Sequence, residues 1–345
     1  MDFRVDDAQR ELAEGIRSMV AGRLPLERIR SLEGEERTIR SEEWAALGET
    51  GVFALTLPEP AGTGLGLADA TVVFEELGRA LVPGPLVGTF LAASMDLVPG
   101  AAEGGAMVGL CFESNAPPWL VEHLTSLDAA LFLPAGAIGG EGSLITTIRD
   151  APTASRVATP LDPLTPLWQL SQLPAGRPLE NPEGRLFRDG GILTAALQVG
   201  HAADTLDLAV AYAKERHQFG KPIGSFQAVK HLCADMLVRA EVARAAVHAA
   251  ACLSDDPDVL GAEADAAGVT PFACLQRAVA GAKLLADEAA IANARTAIQV
   301  HGGMGYTWEV PLHLHLKRSH VLATTFGTKA ELSSLVASLV RSPAA

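Results

Sequence analysis

An arginine, an amide and an aromatic side chain occur together at a break between two helical runs. Arg216, Gln218 and Phe219 lie in the segment RHQFGKPIGSFQ, whose two glycines and proline exclude a continuous helix. Apolar residues on both sides recur at three- and four-residue spacing, which predicts two long antiparallel helices joined by a tight corner. A guanidinium, an amide and a ring at a helix end suit a flat cofactor with phosphate groups. An ordinary helical hairpin has the same pattern, so spacing alone leaves both interpretations open.

A second group of residues with binding potential follows another helical run, about 80 residues downstream. Gln299, Gly302 and Gly303 lie in the segment IQVHGGMGYTWE. Glycines let a ligand approach the backbone closely, and the Gln299 amide offers both a donor and an acceptor. Taken alone, glycines after a helix indicate no more than a C-cap.

Length, composition and charge exclude several classes of protein. The chain has 345 residues, 48% of them hydrophobic, so two or three domains with a large core are expected. Its formal net charge of -14 argues against nucleic acid or an anionic membrane surface as the main partner. The four cysteines show neither CxxC pairing nor metal-ligand spacing, and no signal peptide or membrane span is recognisable. We therefore expect a cytoplasmic protein with reduced cysteines that binds neither nucleic acid nor membrane.

The hydrophobic pattern changes twice along the chain. Residues 1–100 carry mostly helical spacing, whereas residues 101–188 contain short apolar and β-branched runs separated by glycine and proline, which is typical of strands. Residues 189–345 are again mostly helical. The pattern predicts an α+β fold with an N-terminal helical domain, a small middle β domain and a C-terminal four-helix bundle. Because Gly190, Gly191 and Gly200 interrupt its entry, a firm first helix of the bundle is expected only from about His201.

The two motifs, taken in this order, resemble the C-terminal domain of the acyl-CoA dehydrogenase family. That family carries the patterns R-x-Q/T-F-G-x-x-I-x-x-F-Q and Q-x-x-G-G-x-G. The run LGETGVFALTLPEPAGTGLGLADATVVFEELGRAL also resembles the family's N-terminal domain, so the likeness covers about residues 1–100 and 190–335. The resemblance implies the same three-part fold, FAD as cofactor, an acyl-CoA substrate and electron-transfer flavoprotein as electron acceptor.

The resemblance also implies which residues bind the cofactor. In the family, the first motif contacts the FAD pyrophosphate and neighbouring groups, and the second holds the ADP part. These contacts reach across a dimer interface to the flavin of the neighbouring subunit. The positions that match in this chain are Arg216, Gln218, Phe219, Gln299, Gly302 and Gly303.

The chain departs from the family at the catalytic base. In most members a glutamate in a Y-E-G-T-like segment takes the α-proton of the thioester while the β-hydride passes to FAD. Phe326 stands at this position in TTFGTKAEL, and phenylalanine cannot accept a proton. The flavin-holding segment T-E-P-x-x-G-S-D is also replaced, by MVGLCFESNAPPW. The chain thus resembles the subunit without the glutamate in actinobacterial α2β2 acyl-CoA dehydrogenases, several of which degrade steroid side chains. It would then complete the FAD site of a catalytic partner in trans.

Two alternatives stay open. The chain could be a self-sufficient homo-oligomeric flavoenzyme with a displaced base, for which Asp189, Asp204 and Glu331 are the candidates. It could instead be a non-catalytic scaffold without FAD, although a scaffold has no physical need for the two motifs. A metal site is not expected, because His313 and His315 are two residues apart and would point to nearly opposite sides of a helix.

Overall fold

The chain folds into an N-terminal group of helices, a β module and a C-terminal helical bundle. The computed structural model describes residues 3–37, 39–112, 118–133, 144–147, 154–172, 176–180, 184–261, 264–265 and 269–340. The middle of the segment predicted to replace the flavin-holding motif, residues 113–117, lies outside the described residues. The predicted α+β class is confirmed, whereas the domain boundaries stay predictions.

The N-terminal helices pack around a buried aromatic core. Asp6 caps the first helix by accepting a hydrogen bond from the backbone N–H of Gln9 at 2.8 Å. Phe74 and Phe90 meet edge to face at 5.4 Å between ring centroids, which is a favoured aromatic geometry. The helices are α1 (Asp7–Arg23), α2 (Leu26–Arg30), α3 (Ser41–Gly48), α4 (Leu67–Arg79) and α5 (Leu86–Ser94).

The β module consists of two small sheets. The described strands are β1 (Val108–Phe112), β2 (Trp119–Glu122), β3 (Ala129–Leu133), β4 (Leu144–Thr147), β5 (Ala154–Arg156), β6 (Leu167–Leu170) and β7 (Arg177–Pro178). The first sheet has the order β1-β3-β4-β7, with β1 and β3 parallel, and the second has the order β2-β6-β5. Because every residue of β3 is buried, that strand is a continuous apolar run rather than an alternating one.

The C-terminal bundle is built on three helices of about thirty residues each. Its helices are α6 (Arg185–Glu215), α7 (Gln227–Asp255), α8 (Pro271–His301), α9 (Leu312–Leu322) and α10 (Lys329–Val340). A hairpin of two-residue strands, β8 (His217–Gln218) and β9 (Lys221–Pro222), joins α6 to α7 at the predicted corner. None of the described helices is long and apolar enough to cross a membrane.

The expected start of the first bundle helix near His201 is wrong. The helix begins at Arg185 and runs through all three glycines without interruption. A Cβ built at Gly200 would overlap the backbone of α4, and one at Gly190 would overlap the ring of Phe326. Each glycine costs a helix about 1 kcal/mol relative to alanine. Here the close approach that glycine allows offsets this cost, because it lets α6 pack tightly against its neighbours.

Candidate functional site

Folding brings the two sequence motifs together at one end of the bundle. The ring of Tyr212, near the end of α6, stacks on His301, the last residue of α8, with 4.1 Å between ring centroids and 17° between planes. Burial lowers the pKa of His301, which favours the neutral imidazole in this stack. Both helix ends also pack on one small apolar cluster. Its buried members are Ala209, Ala213, Met236, Ala297, Val300 and Leu312.

The first motif presents its side chains to solvent. Arg216 caps α6, with its backbone N–H donating to the Tyr212 carbonyl at 2.8 Å. The side chains of Arg216 and Gln218 are exposed and form no hydrogen bond or ion pair with any residue that the structure describes. Phe219 is 91% exposed and has a φ of 53°, a left-handed conformation that is uncommon for a bulky residue. The hairpin therefore holds a guanidinium, an amide and a ring outward.

The second motif presents a bare backbone beside the first. Gln299 is exposed at the end of α8, and its side chain has no hydrogen-bond partner within the described ranges. Gly302 has a φ of 60°, which favours glycine. A Cβ added at Gly302 or Gly303 would meet no atom within 4 Å, whereas one at Gly305 would overlap the turn before it. Gly305 is thus needed for packing, and the other two glycines leave their outer face open to a ligand.

These features fit the phosphate-bearing, flat-ringed cofactor that the motifs predict. Unpaired guanidinium and amide donors can bind phosphate oxygens, and exposed glycine backbone lets a ligand approach closely. The geometry brings all six predicted residues to the same end of the molecule. Their assignment to FAD stays a prediction.

The predicted base position contains a buried aromatic cluster. Phe326 is 4% exposed, and its ring meets those of Phe112 and Phe187 edge to face at 5.0 and 6.1 Å between centroids. The same ring packs against Gly190, near which the resemblance locates the base of a minority of members. The two positions are therefore in contact, with Phe326 at one, Gly190 at the other and Asp189 as the carboxylate beside them.

The nearest displaced carboxylate is already bound to two arginines. Asp189 is buried on α6 and accepts hydrogen bonds from Arg188 Nε at 2.7 Å and Arg185 Nε at 3.2 Å. Each of the two carboxylate oxygens therefore already accepts a hydrogen bond from a guanidinium group.

The other two candidate bases also have partners. Asp204 lies 3.1 Å from Nε2 of the buried His315, whose Nδ1 is 3.0 Å from Nδ1 of His201. Glu331 is exposed and accepts hydrogen bonds from the backbone N–H and the hydroxyl of Thr328, both at 2.8 Å, at the start of α10. This arrangement is a helix cap, which gives Glu331 a structural role.

A cavity of about 420 Å³ lies between the N-terminal helices, the β module and the bundle. Its walls are mainly apolar and include Leu77, Val82, Leu86, Val87, Leu110, Phe112, Leu167, Leu197 and Val321. None of the three candidate bases is among the described residues that line it. The sequence did not predict the polar residues that do line it, which include Glu122, His123, Asp162, His201 and Arg318.

Burial controls the protonation of the cavity's polar groups. Asp162 is fully buried, forms an ion pair with Arg318 and accepts a hydrogen bond from the hydroxyl of Thr165 at 2.7 Å. Burial raises the pKa of Glu122 to about 7 and lowers that of His123 to about 3. Near neutral pH, Glu122 is thus poised between its acid and its carboxylate.

The described part of the chain contains no cluster of side chains suited to binding a metal ion. No group of three or more histidine, cysteine or acidic side chains there could hold a metal ion. The four cysteines, all within the described residues, form no disulfide, and Cys111 and Cys274 are buried.

The chain matches two family profiles that together span most of its length. The acyl-CoA dehydrogenase N-terminal domain matches residues 6–101, and the acyl-CoA dehydrogenase C-terminal domain matches residues 185–339. The chain belongs to the acyl-CoA dehydrogenase family. This is a family of FAD-dependent oxidoreductases, so the resemblance seen in the sequence is confirmed.

Curated relatives and solved structures agree with this assignment. The chain is 37% identical over 314 residues to acyl-CoA dehydrogenase IpdE2 of Mycobacterium tuberculosis, covering 90% of each protein. It is 34% identical over 342 residues to acyl-CoA dehydrogenase FadE34 of the same organism, covering 93% of this chain and 46% of that protein. Its fold is similar to a chain of the ChsE4-ChsE5 complex from M. tuberculosis, with a TM-score of 0.78, 21% identity and full coverage of both chains. A chain of the Tcur3481-Tcur3483 steroid ACAD G363A variant also gives a TM-score of 0.78, at 24% identity and 98% coverage of each chain.

Proposed function

We propose that this chain is a subunit of a heteromeric, FAD-dependent acyl-CoA dehydrogenase and completes the FAD site of a catalytic partner in trans. One contrast supports the proposal above all. The side chains of Arg216, Gln218 and Gln299 are exposed and form no hydrogen bond with the described residues, whereas an aromatic cluster fills the predicted place of the base. A chain built to act alone would need both the motifs and the base.

In this proposal the bundle end binds and orients a flavin held mainly by the partner. Arg216 donates charge-assisted hydrogen bonds to the pyrophosphate, with Gln218 and Phe219 at neighbouring groups. Gln299 binds the ADP part across the bare backbone of the two glycines, Gly302 and Gly303. When bound, FAD accepts the hydride from the β-carbon of the substrate. In this proposal the partner, and not this chain, supplies the base that takes the α-proton.

The self-sufficient alternative has less support. Asp189 is paired with two arginines, Asp204 lies against His315, and Glu331 caps a helix. To act as the base, any of these three carboxylates would first have to leave its partners and then reach the substrate. The scaffold alternative leaves the outward-facing arginine and amides without a role.

The relatives guide the choice of substrate and partner. Two of the similar folds belong to assemblies named with two different chains, and one of these is described as a steroid acyl-CoA dehydrogenase. We therefore propose a CoA thioester of steroid origin as substrate and a second acyl-CoA dehydrogenase-like chain as partner in an α2β2 assembly. Electron-transfer flavoprotein is the proposed electron acceptor.

Flavin absorbance and native mass of the purified chain test the proposal. The chain should be colourless alone and should give a yellow, active complex with about one FAD for every two chains when co-expressed with its partner. A yellow, active protein purified alone would contradict trans completion and favour a displaced base. A complex without flavin would favour the scaffold.

A further inference from the structure

We infer that Asp204, in a groove on the protein surface, fixes the tautomer of His201 in the wall of the cavity, and that it does so through His315. His201 then offers the cavity a hydrogen-bond acceptor, its bare Nε2. Asp204 thus determines, from outside the cavity, whether this point of the wall accepts or donates a hydrogen bond. The proposed function assigns no role to these three side chains.

The three side chains form a continuous line of contacts from the groove to the cavity. His201 and Asp204 are three residues apart on one face of α6, and His315 of α9 reaches both. Nε2 of His315 lies 3.1 Å from Oδ2 of Asp204, and its Nδ1 lies 3.0 Å from Nδ1 of His201. His201 lines the cavity, whereas Asp204 and His315 line a groove of about 530 Å³ between α1, α4, α6 and α9. Both imidazoles are only 1% exposed, so each nitrogen in this line depends on its neighbour for a hydrogen bond.

The spacing of the nitrogens determines where the protons lie. Two ring nitrogens 3.0 Å apart form a hydrogen bond only when one carries a proton and the other is bare. An ionised aspartate only accepts, so His315 carries its proton on Nε2 and its Nδ1 is bare. His201 must then carry its proton on Nδ1, which leaves its Nε2 bare. No described residue forms a hydrogen bond with this Nε2, so it can accept one from a molecule in the cavity.

Two effects oppose the other protonation states. Burial, His315 and Arg318 lower the pKa of His201 well below its ordinary value, so a second proton on this ring is disfavoured. If both tautomers were reversed, the bare Nε2 of His315 would face the carboxylate of Asp204. A buried hydrogen bond would then be lost, and two acceptors would repel each other.

The arginines of the groove leave Asp204 to His315. Arg17 is paired with Glu76 at 2.7 Å. Arg79 is paired with Asp207 at 2.5 Å. The positive charges nearest to the groove are therefore bound to other carboxylates, and Asp204 remains the acceptor at the outer end of the line.

NMR of the histidine rings tests the inference in the unmodified protein. Long-range proton–nitrogen correlation spectra of the full-length chain, with isotope-labelled histidine at about pH 7.5, show which nitrogen of each ring carries a proton. Spectra of H201Q and H315Q identify the two rings. We expect His201 to be protonated on Nδ1 and His315 on Nε2, each with less than about a tenth of the other tautomer. A proton on Nε2 of His201, or protons on both nitrogens of either ring, would overturn the inference.

A substitution at Asp204 shows whether this residue sets the tautomer. Asparagine keeps the shape but has both a donor and an acceptor, so D204N should bring the two tautomers of His201 to within about threefold of each other. Asp207 lines the same groove but pairs with Arg79, so D207N should leave both rings as they are in the unmodified protein. The other histidine signals report whether each variant is folded, and the spectra of the unmodified protein decide alone should D204N not fold. The same His201 tautomer in folded D204N as in the unmodified protein would refute control by Asp204.

Discussion

Two phenylalanines with the same positive φ lie in opposite surroundings. Phe219 and Phe326 both have a φ of 53°, a conformation that costs a bulky residue about 1 to 3 kcal/mol. Phe219 is 91% exposed at the bundle end, whereas Phe326 is 4% exposed within the aromatic cluster. Burial offsets the strain at Phe326, but nothing comparable offsets it at Phe219. The contrast is the one expected if, as proposed, the bundle end contacts an external partner while the base position serves internal packing.

The largest expected effect is the difference in stability between the alanine variants of these two residues. F326A should lower the free energy of unfolding by about 3 to 5 kcal/mol, because it leaves a cavity between two other aromatic rings. F219A should change it by less than about 0.5 kcal/mol and should instead weaken FAD binding by the complex. Urea unfolding of both variants measures the difference. Similar losses of unfolding free energy in the two variants would show that Phe219 stabilises the fold as a core residue does, and would contradict the comparison.

The cavity should make the stability of the protein depend on pH through Glu122. Its pKa is raised from 4.5 to about 7, so the folded state keeps a proton that the unfolded state has already lost. Stability should therefore fall by about 3 kcal/mol from this group as the pH rises from about 4.5 to about 7, and E122Q should remove that fall. Unfolding at several pH values measures it. A pH dependence unchanged in E122Q would mean that Glu122 titrates normally.

Arg216 should matter for cofactor binding and hardly at all for folding. Loss of a charge-assisted contact costs about 1.5 to 3 kcal/mol, so R216A should weaken FAD binding by the assembled complex about 10- to 100-fold. Arg23 is a suitable control, because the ion pair that it forms with Glu49, at 3.5 Å, is exposed on the surface. R23A should retain FAD. If both variants retain the flavin equally, the bundle end does not hold the cofactor.

Substitutions at the adjacent Gly302 and Gly303 distinguish the effect of backbone strain from the effect of ligand contact. G302A should cost about 1 kcal/mol of stability, because alanine at a φ of 60° is strained. Gly303 lacks a positive φ and faces open space, so G303A should leave the melting temperature unchanged and weaken FAD binding by steric overlap. Thermal unfolding and flavin content test the pair. Equal flavin content in G303A and the unmodified complex would place the ADP part elsewhere.

The sequence predicts well those features that depend on local pattern. The corner at Gly220 and the long helices α7 and α8 follow from hydrophobic periodicity and from residues that break helices. The start of α6 could not be predicted, because Gly200 is accommodated only through contact with α4, which is distant in the sequence. Tertiary packing there overrides local helix propensity.

The cavity was missed for a related reason. Glu122 stands alone in the apolar run WLVEHL, and this was the available signal in the sequence. Its meaning depends on Asp162 and Arg318, which come from distant segments and pair with each other rather than with Glu122. A single sequence does not show which of three distant charged residues will pair, because neither charge pairing nor burial follows from spacing.

The interlocking of Phe326 with Gly190 constrains how this chain can evolve. The ring occupies the space that any side chain at position 190 would need, so neither position can change freely while the other stays. A glutamate at 326 would bury a charge among Phe112 and Phe187 and leave part of the ring's volume empty. This single substitution should therefore destabilise the fold unless a second change accompanies it. The two positions thus form one coupled unit, which can change together but not separately.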